Sequence, residues 1–356
     1  MKKRLSFLFM ILLVLVLAAC GGGNSQPSGT STESPKKEES DAGKEAASGE
    51  FEKMTIALGH STADNDTSHY HQGSLKFKEL VEEATGGNVT IEIHANGSLG
   101  GEREMTEAVQ IGTLDMVLTS SGPVGNFAPK SNAFDFPFLF RDKEHAYAVL
   151  DGELGDEVSA QLEEVGIKVL AWAENGFRNM TNSKHPIVNP EDIKGMKIRT
   201  MENQVHLSAF EAYGAAPTPM AFTELFSAMQ QGVVDGQENP LAVIMPNKFP
   251  EVQGYLTLSE HIYSPAPLLI SKAKFDSFSP ELQEVFLEAA AEMRDWERNF
   301  CTEMDEQFIQ TALDEGMEIV KQDEFNYDAF FEATQSVYEQ YKNEYGEFHE
   351  KILAVQ

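Results

Sequence analysis

The chain has 356 residues, and 41% of them are hydrophobic, which is enough for two domains that each have a core. It carries 57 Asp and Glu against 27 Lys and Arg, so its formal net charge at pH 7 is -30. This charge argues against nucleic acid and against an anionic lipid surface as partners of the folded part, because both require basic patches. A self-repelling surface of this kind favours a monomer.

The first twenty residues predict a bacterial lipoprotein signal peptide. A positive start at residues 2–4 precedes an apolar run at 5–19, whose 15 residues are short for a membrane-spanning helix. The run ends in Leu-Ala-Ala before Cys20, which resembles a lipobox. An ordinary cleaved signal peptide or a signal anchor is the alternative. We therefore expect residues 1–20 to be a lipoprotein signal peptide, and a lipidated Cys20 to anchor the protein to the outside of the cell membrane.

Residues 21–50 predict a disordered linker. They contain no aromatic and no branched aliphatic side chain, so this segment cannot bury a core. A flexible chain of this length spans roughly 30 Å, which would tether the folded body near the membrane. The only other cysteine of the sequence is Cys301, so there is no disulfide framework, and its helical surroundings predict an inert core thiol.

From residue 51 onward, strand and helix patterns alternate along the chain. This spacing is typical of an α/β protein with a sheet rich in parallel strands and with ligand chemistry at the strand ends. The predicted strands are 54–58, 89–94, 116–119, 167–172, 196–199, 233–235 and 268–271, and the predicted helices are 68–84, 103–111 and 223–231.

A long helix is predicted after Pro280, because residues 281–315 contain neither Gly nor Pro. Thirty-five helical residues span roughly 50 Å, which exceeds the diameter of a small domain. We expect such a helix to run across two domains, although two helices with an unmarked break would fit the same pattern. The tail at 327–353 predicts one further helix or a pair of helices.

No motif of a known catalytic class stands out. The sequence has no G-x-S-x-G elbow, no H-E-x-x-H and no phosphate-binding glycine loop, and the glycine-rich residues 97–101 lack the Lys-Ser/Thr of a P-loop. We therefore do not predict an enzyme or a cofactor.

A histidine-rich segment allows a metal-binding alternative. His60, His69 and His71, together with Asp64 and Asp66, provide imidazoles and carboxylates that could hold zinc. His69 and His71 are separated by one residue at the predicted start of a helix, so they point to different faces. The competing interpretation is a solvated helix N-terminus with one loop histidine.

Two arginines, Arg178 and Arg199, lie at or beside predicted strand ends in this acidic chain. A guanidinium matches a carboxylate through two parallel charge-assisted hydrogen bonds, so either arginine could clamp a ligand carboxylate. The alternative is a structural ion pair with an acid of the chain, such as Glu191 or Glu202.

The similarity of three segments to a known family favours the ligand clamp over the structural ion pair. These segments resemble the solute-binding proteins of tripartite ATP-independent periplasmic (TRAP) transporters, and the resemblance covers residues 53 to about 340. The segments are LGGEREM (99–105) followed by GTLDM (112–116); GMKIR (195–199); and PTPMAFTEL (217–225) continuing to VDGQENPL (234–241).

The resemblance implies a two-domain periplasmic-binding-protein-like α/β fold with hinge strands and a long helix that spans both domains. It implies an extracytoplasmic receptor that captures an organic acid by hinge closure and delivers it to membrane permease subunits, without chemistry of its own. A sensory lipoprotein is the alternative in another class. Domain I would comprise 51–175 plus about 266–304, and domain II would comprise 176–265 plus about 305–356.

The resemblance also implies roles for four residues of the predicted domain II. Arg199 would be the main partner of the ligand carboxylate. Arg178 would be a second basic contact or a brace for the first. Asn239 would hydrogen-bond the same carboxylate, and Phe222 would form a wall of the pocket.

Four further residues complete the implied ligand site. Glu102 and Ser120 would face the rest of the ligand, while His60 and His261 are additional candidates. Some relatives that bind amino-sugar acids carry an acid at the position of Ser120, so the serine argues against such a ligand here. Glu102 can accept hydrogen bonds from hydroxyl groups, which favours a sugar acid such as a uronate or aldonate, with a C4-dicarboxylate second.

Overall fold

The computed structural model describes residues 51–356, so the predicted signal peptide with Cys20 and the predicted linker lie outside the described residues. The strands are β1 (Met54–Gly59), β2 (Val89–His94), β3 (Met116–Leu118), β4 (Ile167–Asn182), β5 (Lys197–Thr200), β6 (Ala216–Pro219), β7 (Gly236–Asn239), β8 (Tyr255–Ser271) and β9 (Glu318–Val320). The helices are α1 (His69–Ala84), α2 (Glu102–Gln110), α3 (Ser121–Val124), α4 (Lys143–Leu150), α5 (Glu153–Glu164), α6 (Pro190–Ile193), α7 (Gln204–Ala212), α8 (Phe222–Gln230), α9 (Leu241–Ile244), α10 (Lys272–Asp276), α11 (Pro280–Asp314), α12 (Tyr327–Gln340) and α13 (Lys342–Ala354), with 3-10 turns at Pro129–Asp135 and Phe249–Glu251.

The described strands form one mixed sheet in the order β2-β1-β3-β8-β4-β7-β5-β6, with β9 paired to β8. β1 runs parallel to β2 and β3, and β5 runs parallel to β6 and β7. Between these two groups, β8 and β4 are antiparallel to each other and to their neighbours β3 and β7. The α/β prediction is therefore confirmed, but the parallel pairing lies in the two outer parts of the sheet.

β4 and β8 connect the two parallel groups. They pair from Ile167 opposite Ser271 to Asn182 opposite Tyr255, with irregularities that include one between Glu174 and Gly176. The sequence predicts only one end of each strand, 167–172 and 268–271. The remaining parts contain buried polar residues such as Arg178 and His261, and a hydrophobicity pattern does not identify such residues as strand.

The two parallel groups are built in the same succession: β1-α1-β2-α2-β3-α3 in one and β5-α7-β6-α8-β7-α9 in the other. In each group an aspartate that precedes the third strand accepts a hydrogen bond from the first strand. Asp115 Oδ2 accepts from Ala57 N at 2.9 Å, and Asp235 Oδ2 accepts from Lys197 N at 2.9 Å. The predicted strand at 233–235 is therefore wrong. Asp235 instead accepts a hydrogen bond at the start of β5, and β7 begins at Gly236.

α11 is a single 35-residue helix, as predicted. It begins with Pro280, and Ser279 Oγ accepts a hydrogen bond from Leu282 N at 3.3 Å, which satisfies a free N–H of the first turn. Its first half packs Phe286 and Met293 into the core beside β1 and β3, while Phe308 packs into the core beside α8 and α9. The helix thus contacts both parallel groups.

The tail is a pair of helices, α12 and α13, which is one of the two predicted arrangements. Within residues 51–356 no helix combines the length and apolarity that crossing a membrane requires.

Candidate functional site

Arg199 lies near the end of β5 and is 2% exposed. Its Nε and Nη2 donate to the Met220 carbonyl oxygen at 3.0 and 2.8 Å, while Nη1 has no hydrogen-bond partner among residues 51–356. Desolvation lowers the pKa of this guanidinium to about 10, so it remains charged at neutral pH. The arginine is held by one carbonyl and keeps both N–H groups of Nη1 for another acceptor.

The predicted structural ion-pair alternative for Arg199 is not found in the described chain. Glu202 instead accepts from Arg103 at 3.4 Å across the cleft, and no ion pair joins Arg199 to Glu191 or to any other described acid. A buried positive charge without a carboxylate is costly in a folded protein, which is typical of a site that binds an anion.

Arg178 lies in the second half of β4 and is fully buried. It forms a bidentate ion pair with Glu238, in which Nη2 donates to Oε1 at 3.0 Å and Nε donates to Oε2. The same Nη2 also donates to Asn239 Oδ1 at 3.0 Å. Of the two roles left open by the sequence, this geometry favours the brace, because Arg178 holds the Asn239 amide in place.

His261 belongs to the buried charge cluster around Glu238. His261 Nε2 lies 3.5 Å from Glu238 Oε2, and His206 Nδ1 lies 3.6 Å from Oε1. Burial alone would raise the pKa of the Glu238 carboxyl, but Arg178 and the two imidazoles outweigh it and hold this pKa well below its usual range. His261 therefore supports the residues behind the cleft.

A cavity between the two parallel groups brings five of the predicted ligand residues together. Its volume is about 10 Å³, which is roughly the space that one water molecule needs, so the two sides of the cleft are closely apposed. Arg178, His60 and His261 are not in its wall. The wall consists of Ser61, Thr62, Tyr70, Glu102, Ser120, Asn175, Arg199, Met201, Phe222, Asn239 and Val243.

Glu102 and Ser120 are bonded to each other on the side opposite Arg199. Glu102 is the first residue of α2; its Oε1 accepts from Ser61 Oγ and from Ser120 N, both at 3.2 Å, and its Oε2 accepts from Ser120 Oγ at 2.9 Å. Ser120 Oγ also lies 3.3 Å from Met201 Sδ on the other side of the cleft. The carboxylate is thus fixed in orientation by its own domain.

The histidines of the 60–71 segment mostly bond to one another and to the chain. His60 is buried, with Nε2 at 3.2 Å from His71 Nδ1 and Nδ1 at 3.2 Å from Thr62 Oγ1. His69 contacts Asn175 Oδ1 at 3.3 Å and the Ala242 carbonyl at 3.1 Å. Burial lowers the pKa of His60 to about 3 and that of His69 to about 4. In the part of the chain that the structure describes, no group of three or more His, Cys, Asp or Glu side chains could hold a metal ion.

The sequence did not identify six residues of the cavity wall. Asn175 comes directly before Gly176, whose φ is 112°, and it lies at the register irregularity of β4, where the regular alternation of side chains along the strand is interrupted. Tyr70 lies in the first turn of α1, where the predicted helix start could have suggested a cleft position. The others are Ser61, Thr62, Met201 and Val243.

A family comparison decides what kind of protein has this site. The model of the DctP family, described as bacterial extracellular solute-binding protein, family 7, matches residues 58–344. The chain belongs to this family. The family relation predicted from the three sequence segments is thereby confirmed, and the family consists of extracellular receptors for solutes.

Relatives and solved structures agree with this assignment over most of the chain. The 2,3-diketo-L-gulonate-binding periplasmic protein YiaO of Escherichia coli (strain K12) is 38% identical, over 75% of this chain and 81% of the relative. A TRAP solute-binding protein of Polaromonas sp. JS666 with bound D-erythronate is 41% identical with a TM-score of 0.83, covering 85% and 99% of the two chains. One of Sulfurospirillum deleyianum DSM 6946 with bound succinate is 32% identical with a TM-score of 0.81, covering 86% and 100%. The two-domain fold of TRAP solute-binding proteins is therefore confirmed for this chain.

Proposed function

We propose that this protein is the receptor of a TRAP transporter for a sugar acid, and that Arg199 binds the ligand carboxylate. The observation that carries the proposal is the free Nη1 of Arg199 at the wall of the cleft cavity. Asn239, held by Arg178, is positioned to bond the same carboxylate, and Phe222 provides an apolar wall. Glu102 lies on the opposite side of the cavity, where it can accept from ligand hydroxyl groups.

A sugar acid is favoured over a C4-dicarboxylate. The relatives named above at 38% and 41% identity bind diketo-L-gulonate and D-erythronate, whereas the one with succinate is 32% identical. A second ligand carboxylate near Glu102 would meet a charge of the same sign, which disfavours a dicarboxylate.

Ligand capture is proposed to close the cleft by bending at β4 and β8. Several contacts join the two sides: Asn203 Nδ2 donates to the Gly122 carbonyl at 3.2 Å and to Asp135 Oδ2 at 3.0 Å, and Asn126 Nδ2 donates to the Glu202 carbonyl at 3.2 Å. Without an anion, closure would bury the Arg199 charge at a cost, so the unliganded protein is expected to favour an open, hydrated cleft. A ligand carboxylate removes that cost and shifts the population to the closed form.

The remaining parts of the proposal concern location and partners. Residues 1–20 would direct export and leave a lipid on Cys20, and residues 21–50 would tether the receptor near permease subunits in the membrane. The receptor would act as a monomer. The proposed hinge lies within β4 and β8, and it is supported by the passage of each strand between the two parallel groups at the domain limits inferred from the sequence.

The experiment is isothermal titration calorimetry of the full-length protein in detergent with D-erythronate, D-gluconate, D-glucuronate and succinate. At least one sugar acid should bind, and Arg199→Ala should weaken its binding at least about a hundredfold, because two hydrogen bonds to a charged group contribute roughly 1.5 to 3 kcal/mol each. Arg294→Ala is the control, because this half-buried arginine on α11 pairs with Asp151 and Asp295 outside the cavity wall, and the variant should bind normally. Full affinity in a folded Arg199→Ala variant would disprove the proposed role.

A further inference from the structure

Tyr70 is a buried residue of the cleft whose hydroxyl group has no partner. It is the second residue of α1, it is 1% exposed, and it lines the same cavity as Arg199 and Glu102. Its hydroxyl makes no hydrogen bond to any residue in 51–356. Buried hydroxyl groups in proteins are rarely left unbonded, because the lost bond to water is not replaced.

The neighbouring Glu102 is nearly saturated by the chain itself. Its two oxygens already accept three hydrogen bonds from Ser61 and Ser120, and a carboxylate has about four such positions. Among the residues of the cavity wall, the buried polar atoms without a partner are Arg199 Nη1 and Tyr70 Oη. A ligand that provides a hydrogen-bond partner for both groups therefore needs one acceptor for Arg199 Nη1 and a separate oxygen for the Tyr70 hydroxyl.

The charge around Tyr70 restricts what that second oxygen can be. Burial, and then the negative charges of Glu102 and Glu297, raise the pKa of Tyr70 well above its usual value, so its hydroxyl stays neutral and can donate. A ligand carboxylate at this end would be repelled by Glu102. A ligand hydroxyl or ketone would not, and a hydroxyl could also donate to the remaining position of Glu102.

We propose that Tyr70 is a specificity-determining residue whose hydroxyl binds a neutral hydroxyl or ketone oxygen of a ligand held by its carboxylate at Arg199. This inference rests on the proposed function and narrows it to hydroxy- or keto-monocarboxylates. Acids that lack this oxygen should bind more weakly because they leave the tyrosine hydroxyl without a partner. Dicarboxylates should bind more weakly because they bring a second negative charge to Glu102.

The test is a thermodynamic cycle that combines removal of the Tyr70 hydroxyl with removal of each ligand hydroxyl. D-Erythronate, D-gluconate and their mono-deoxy analogues at each position are titrated into the full-length wild type and into Tyr70→Phe. For the acid that binds, Tyr70→Phe should lose about 10- to 100-fold in affinity, because the ligand oxygen is then buried without a hydrogen-bond partner. One mono-deoxy analogue should bind wild type correspondingly weakly and should be insensitive to Tyr70→Phe, which identifies the hydroxyl that Tyr70 reads.

The matched control is Tyr213→Phe. Tyr213 is also buried with an unbonded hydroxyl, but it packs between Phe210 and Phe330 away from the cavity. Both variants remove an unpaired buried hydroxyl, so neither should lower the melting temperature of the protein without ligand, and only Tyr70→Phe should change affinity. Titration of the mono-deoxy analogues into wild type also shows which ligand hydroxyl contributes to the affinity, and this measurement does not depend on the folding of a variant.

Two results would overturn the inference. If wild type binds a sugar acid and Tyr70→Phe changes all analogues equally or not at all, Tyr70 does not read a ligand oxygen, while the proposed function stands. If wild type binds succinate more tightly than both sugar acids, the discrimination against dicarboxylates is wrong and the sugar-acid assignment fails with it.

Discussion

Arg178 and Arg199 are both buried, but their hydrogen-bond partners differ. In each of them Nη1 has no partner among the described residues, but Arg178 is neutralised by Glu238, whereas Arg199 is bonded only to a backbone carbonyl and lines the cavity. The position of Arg199 near a strand end could be predicted from the sequence. The brace role of Arg178 could not be decided, because its partner lies 60 residues away along the chain and reaches it only through the pairing of β4 with β7.

Glu297, in the middle of α11, makes stability depend on pH. It is fully buried and accepts from Glu174 N at 2.9 Å, and desolvation raises its pKa to about 8. The folded chain thus keeps a proton that the unfolded chain loses near pH 4.5. The stability that this provides is complete below that pH and is lost as pH rises through about 8, by on the order of 5 kcal/mol in total.

Glu297→Gln should therefore be more stable than wild type at pH 8 and above, and its stability should fall less between pH 5 and 8. The amide can still accept from Glu174 N but does not titrate. Urea unfolding at each pH measures the effect, and Glu292→Gln, at an exposed acid of the same helix, is the control. Parallel pH profiles for Glu297→Gln and wild type would show that Glu297 does not titrate in this range.

At the level of elements, helices α1, α2 and α8 and the outer strands β1, β2, β3 and β5 follow their sequence patterns, whereas β6, β7 and most of the two long strands β4 and β8 do not. Helices α1, α2 and α8 begin and end within one residue of the prediction because their apolar faces pack on one side of the sheet. β4 and β8 are covered on both sides where they cross the molecule, so polar residues such as Glu174 and Ser264 are buried there and the alternating pattern is lost. The proposed hinge is thus the part of the fold that a hydrophobicity pattern identifies least well.

Gly176 permits the bend of β4 that presents Asn175 to the cleft. Its φ is 112°, and an added Cβ would lie 3.3 Å from Glu174 Oε1 and 3.4 Å from Pro240 Cβ. Gly176→Ala should therefore destabilise the protein by about 1–3 kcal/mol and weaken ligand binding through Asn175. Gly254→Ala is the control, because a Cβ there meets nothing within 4 Å, and it should be neutral or slightly stabilising. Equal unfolding midpoints for the two variants would contradict the strain at Gly176.

For the whole molecule, two similar halves and one connecting layer are the basis of the proposed hinge closure. Each half carries its own parallel strands and core, and between them lie β4, β8 and the continuous α11. The cleft narrows to a cavity of about 10 Å³, where Gly97 of one half lies so close to Thr223 of the other that a side chain at Gly97 would collide with it. A sugar acid can enter only if the halves separate.

Small-angle X-ray scattering of the full-length protein should therefore show a smaller radius of gyration when a sugar acid is added at saturating concentration. The reason is that the ligand carboxylate neutralises Arg199, and this differential interaction favours the closed arrangement. In Arg199→Ala, ligand at the same concentration should leave the radius unchanged, because the variant lacks the charge that couples binding to closure. A wild-type radius that stays constant while calorimetry shows the site to be filled would mean that binding occurs without hinge closure, and the contacts of Asn203 across the cleft would then exist in both states.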